Sequence, residues 1–100
     1  MSRGRASRRD VDALVERIDE YAHELGLLHE GQHLHFQKGS AANGQPHYLY
    51  VERSTDSGRQ RTHLPDFAPE FHYRVTLSEA FTILTATADA LGAVVNHQAK

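Results

Sequence analysis

One hundred residues make one domain with an adequate but small core. The absence of cysteine excludes disulfides and thiolate metal sites. A mean hydropathy of -0.59, 24% charged residues and a formal charge of -2 describe a soluble chain, with no apolar run of bilayer-spanning length.

The charge is uneven. Arg3, Arg5, Arg8 and Arg9 make the first nine residues +4, and the remainder carries -6. Protonating all eight histidines would take the chain from -2 to +6, so its surface charge is unusually sensitive to pH just below neutrality. Residues 1 to 9 are expected to be a flexible basic arm, residues 10 to 95 the folded domain, and residues 96 to 100 a frayed C-terminus. The N-terminus lacks the apolar stretch of a secretory signal, so a cytoplasmic location is expected. Arginine greatly outnumbers lysine and alanine is abundant. That bias suggests a GC-rich coding sequence, of an actinobacterium or one of its phages, and the chain is expected to be a phage- or plasmid-borne accessory factor.

Apolar residues recur at Val11, Leu14, Val15, Ile18, Tyr21, Ala22 and Leu25, the stripe of an amphipathic helix. Ser7 or Asp10 would cap its start, and Gly26 stands where a left-handed C-terminal cap falls. Asp12, Glu16, Asp19 and Glu20 load the opposite side with negative charge. His33 to Lys38 alternates polar and apolar and reads as a strand. His47 to Arg53 is a second strand, rich in β-formers. Asp56-Ser57-Gly58 marks a turn, and Arg59 to Leu64 reads as a short polar edge strand. Phe71 to Val75 alternates again and is expected to be a further strand. Thr76-Leu77-Ser78-Glu79 is a capping box that opens a last helix, which Gly92 ends or weakens.

The predicted fold is therefore α+β in two layers. An antiparallel sheet of three to four strands carries the N-terminal and C-terminal helices on one face.

His29-Glu30-Gly31-Gln32-His33 contains the letters H-E-x-x-H and resembles the zinc metalloprotease motif over five residues. The resemblance implies His29 and His33 as ligands and Glu30 as the base, which would make the protein a small zinc-dependent hydrolase. It requires one continuous helix, and Gly26 and Gly31 would each cost that helix about 1 kcal/mol relative to alanine. A helix that stops at Gly26, followed by a strand from His33, is the expected outcome. No catalytic residue, metal or cofactor is then expected.

On the strand reading, Leu34, Phe36, Leu49, Val51, Phe71, Tyr73 and Val75 face the core. The second face of the sheet then displays His33, His35, Tyr48, Tyr50, Glu52, His72 and Arg74. Tyrosine and arginine are favoured at protein interfaces, because they bury area while keeping a polar handle. The expected function is binding or regulation by contact with another protein, or with a second copy as a homodimer, through that face.

Nucleic acid is the alternative partner. The basic arm supplies phosphate contacts, exposed aromatics stack on bases, and Arg53, Arg59 and Arg61 form a second basic cluster. The order helix, strands, helix resembles the double-stranded RNA-binding domain, which implies an RNA ligand. The chain departs from that family at Thr76-Leu-Ser-Glu-Ala-Phe81, where a lysine-rich helix start is replaced by a stretch without positive charge.

Overall fold

A computed structural model describes residues 7–62, 65–71 and 74–98. The elements run α1 (Arg8–Glu24), β1 (Gln32–Gln37), a single 3-10 turn (Ala41–Asn43), β2 (Tyr48–Thr55), β3 (Gly58–Thr62) and α2 (Leu77–Gln98). The sheet order is β1-β2-β3, antiparallel throughout. The expected two-layer α+β architecture is the one observed.

Helix α1 starts earlier than the arm boundary implied. Ser7 is its N-cap, and its Oγ accepts the Asp10 N–H while the Asp10 carboxylate accepts the Ser7 N–H. Arg8 and Arg9 are thus helical, and the rest of the expected arm, residues 1 to 6, lies outside the described residues. The helix ends as its glycine requires. Gly26 adopts φ 76°, its N–H reaches the His23 carbonyl, and the Leu27 N–H reaches the Ala22 carbonyl. These are the two bonds of a Schellman motif.

Val11, Leu14, Val15, Ile18 and Ala22 form the buried stripe of α1. They meet Leu34, Phe36, Leu49 and Val51 from one face of the sheet and Leu84, Ala88 and Leu91 from α2. Beneath them, β3 contributes little to the core, since four of its five residues are exposed.

Two expectations fail here. Phe71, Arg74 and Val75 do not form a strand; residues 72 and 73 lie outside the described residues. Arg74 lies in a turn before α2, and Phe71 packs its ring edge-on to Phe36 at 6.3 Å between centroids. Pro65 and Pro69 keep this stretch irregular, and burying Phe71 needs no strand pairing. Nor does Gly92 end α2, which continues to Gln98. Gly92 is buried against α1, and an added Cβ would sit 3.3 Å from the Tyr21 ring. Its lack of a side chain serves packing, not termination. The Thr76 to Glu79 capping box forms as expected.

The 22 residues of α2 are long and apolar enough, at a mean hydropathy of 1.2, to cross a membrane by length and composition. No continuous apolar run shows this in the sequence, because threonines and Asp89 interrupt it. Its Ala80, Leu84, Ala88 and Leu91 are buried in the core.

Candidate functional site

Register decides which side chains share the uncovered face of the sheet. His35 pairs with Tyr50, His33 with Glu52 and Gln37 with Tyr48. On the other side of β2, Glu52 pairs with Arg61 and Ser54 with Arg59. Paired residues point to the same side of a sheet. The face therefore carries His33, His35, Tyr48, Tyr50, Glu52, Arg59 and Arg61, opposite the buried Leu34, Phe36, Leu49 and Val51.

These side chains touch one another. From the β1 side, His35 stacks on Tyr50, with centroids 5.2 Å apart and planes 24° from parallel. From the β3 side, the Arg61 guanidinium carbon lies 4.2 Å from the centre of the same ring. Tyr48 continues the cluster at 5.9 Å from Tyr50, and Arg61 also reaches its ring at 5.8 Å. Glu52 sits between His35 and Arg59, with Oε1 3.6 Å from His35 Nε2 and 3.8 Å from Arg59 Nη1. Tyr48, at 37% exposure, is among the large apolar residues most open to solvent.

Of the residues expected at this site, His33, His35, Tyr48 and Tyr50 are on the face. Arg74 is not: it lies in the turn before α2, because the strand that would have carried it outward does not form. His72 lies outside the described residues. Arg59 and Arg61 of β3, expected only in a separate basic cluster, join the face. Their alternation with Ser54 and Glu52 was readable once the hairpin register at Thr55–Gly58 was fixed.

The H-E-x-x-H segment is not helical. Glu24 is the last residue of α1, Gly31 adopts φ 86°, and β1 begins at Gln32. His29 lies in the connector and His33 on the strand, so the one-turn spacing that a zinc protease needs is absent.

Asp19 is not part of a solvated acidic helix face. Its Oδ1 accepts the Leu34 N–H at 2.7 Å, and Arg8 Nη2 donates to the Phe36 carbonyl at 3.1 Å. Two α1 side chains thus satisfy backbone groups along the outer edge of β1, which would otherwise be a template for strand pairing. Asp12, Glu16 and Glu20 remain exposed, although Arg8 Nε pairs with Asp12 at 3.0 Å. A groove of about 370 Å³ runs between this edge and α1, lined in part by Glu16, Asp19, His33 and His35.

A buried histidine was missed by the sequence reading. His47 is 8% exposed, packs its ring 5.6 Å from Phe36, and accepts the Gly39 N–H on Nδ1 at 3.0 Å. Burial, with Lys38 and Arg8 nearby, pushes its pKa below the ordinary histidine value.

No protein-family profile, curated protein or solved structure matches the chain.

Proposed function

We propose that the chain is a small binding and regulatory protein that acts by contact with another protein through the uncovered face of its sheet. The observation that carries this reading is the layered contact of His35, Tyr50 and Arg61 across all three strands. A tyrosine held between an imidazole and a guanidinium is pre-positioned, so little side-chain entropy is lost when a partner lands on it. Tyrosine and arginine are also the residue types that dominate binding energy at interface centres.

Charge narrows the partner. Arg59 and Arg61 outnumber Glu52 on this face, while the exposed Asp12, Glu16 and Glu20 make the far side of α1 acidic. A protein presenting carboxylates complements the sheet face. Two copies placed face to face would bring four arginines together against two glutamates, so a second copy fits less well.

Single-stranded nucleic acid is the second reading, favoured by the two arginines that β3 adds beside the tyrosines. Tyr50 has neighbours on both sides, which leaves Tyr48 as the better platform for a base.

The test compares wild-type protein with Tyr48→Ala/Tyr50→Ala as bait in nuclease-treated extract. A protein retained by the first and lost by the second supports the reading. Identical retention by both removes the face as the binding surface. Binding of an RNA oligonucleotide that weakens steeply with salt and is lost in the double variant would favour the second reading instead.

A further inference from the structure

The helix–strand junction at the other end of β1 brings three metal-ligand types together. Asp19 and His23 are one turn apart on α1, and His33 reaches them from β1. One donor atom from each of the three lies within 4.8 Å of the others. Asp19 Oδ2 is 3.2 Å from His33 Nδ1 and 3.3 Å from His23 Nδ1, and the two imidazole centroids are 5.2 Å apart.

We propose that Asp19, His23 and His33 form a binding site for a divalent transition metal of the zinc class. The site takes His33 from the edge of the uncovered sheet face, but it does not depend on the protein-contact reading.

Three features carry the proposal. First, the carboxylate is fixed in place. Its Oδ1 is held by the Leu34 N–H, which leaves Oδ2 turned toward the two imidazoles. Second, His23 is oriented. Its Nδ1 lies 2.8 Å from the Asp19 backbone carbonyl, which only accepts, so Nδ1 donates there and Nε2, not the Nδ1 that stands 3.3 Å from Asp19 Oδ2, is the nitrogen that would meet the ion. A ring N–H donated to a backbone carbonyl is how metal-binding imidazoles are commonly set in tautomer and orientation. Third, the spacing is near what an ion needs. Zinc bonds of about 2.0–2.2 Å place neighbouring ligand atoms of a tetrahedron about 3.3–3.5 Å apart. Asp19 and His33 already stand close to that separation, and the exposed His33 ring has room to adjust.

The donor set selects the ion class. Two imidazoles and one carboxylate suit zinc, cobalt, nickel or copper, whereas calcium and magnesium want oxygen ligands throughout. Three protein ligands leave a fourth position for water or for a partner's side chain. The second histidine of the H-E-x-x-H segment thus becomes a ligand, but with partners upstream on α1 instead of His29. The bound ion would join α1 to the edge of β1.

The experiment is calorimetric titration of zinc chloride into the tag-free full chain, with His33→Ala, His23→Ala, Asp19→Asn and, as a control, His29→Ala. One ion per chain is expected. Each of the first three substitutions should weaken binding by at least about tenfold, and His29→Ala should leave it unchanged. His33 is exposed on the strand and makes no core contact, so His33→Ala keeps the fold and isolates the ligand effect. Zinc should also raise the thermal midpoint of wild type and not of His33→Ala. Cobalt(II) gives a second readout, a tetrahedral visible spectrum that His33→Ala abolishes. Unsaturable binding, or equal weakening by His29→Ala and His33→Ala, would show adventitious surface histidines and overturn the proposal.

Discussion

The Arg61 guanidinium lies 4.2 Å from the centre of the Tyr50 ring and ties the exposed edge strand β3 to the middle of the sheet. Neither residue contributes to the hydrophobic core, which lies on the other side of β2. Their contact shapes a surface. Arg61→Ala should therefore cost only about 0.5–1 kcal/mol, the worth of an exposed cation–π contact. The same substitution should weaken partner capture strongly. Arg61→Lys, which keeps the charge and loses the flat guanidinium, should restore capture only in part. Urea denaturation and capture measured on the same variants separate the two effects.

Gly39 should tolerate no side chain. A Cβ there would overlap the backbone carbonyls of Gln45 and Pro46, and backbone cannot move aside as a flexible side chain can. Gly39→Ala should destabilise by roughly 3 kcal/mol, at the upper end for overpacking, and should break the bond from its N–H to His47. Chemical denaturation gives the stability. A shift of the His47 Nδ1 resonance in nitrogen NMR reports the loss of the bond that this nitrogen accepts.

Gly92 sits at the other tight approach. Alanine would gain about 1 kcal/mol of helix propensity and spend part of it pushing the Tyr21 ring. Valine has no such compensation, and Gly92→Val should destabilise by about 1–3 kcal/mol. Tyr21→Ala should relieve most of that loss in a double-mutant cycle, since the two residues are in contact. Additive effects would show that the helices do not meet there.

His47 gives stability a pH dependence. Its folded pKa is lowered by burial, and then by Lys38 and Arg8. Between its folded pKa and the unfolded value of 6.5, the unfolded chain binds a proton that the native chain does not. The His47 contribution is thus fully present above about pH 6.5 and declines as pH falls through the window below it. His47→Gln should flatten the slope of stability against pH in that window. An unchanged slope would assign the dependence to other groups.

The chain's periodicities revealed most of the fold and only half of the surface. Ser7, Gly26 and the Thr76–Glu79 box are local signals that act within one turn of helix, and each does in the structure what its spacing implies. Alternation placed His35, Tyr48 and Tyr50 outward because Leu34, Leu49 and Val51 had to go inward. Phe71 to Val75 alternates equally well, yet Phe71 packs against the core from outside any strand, so the pattern records burial without hydrogen-bonded pairing. Arg61 and Asp19 read from the sequence as parts of other surfaces, a basic cluster and an acidic helix face, for another reason. Their roles come from register across strands and from a helix lying along a sheet edge, neither of which a one-dimensional pattern encodes. The spacing of Asp19 and His23 by four residues was the one local hint.

Capture by wild-type and Tyr48→Ala/Tyr50→Ala baits in nuclease-treated extract tests the central claim most directly. Both tyrosines point away from the core, so the double variant should keep the wild-type circular dichroism spectrum and a cooperative unfolding transition. A protein with an acidic surface should be retained by wild type and lost from the folded variant. Equal retention on both baits, with the variant folded, would contradict a sheet-face interface.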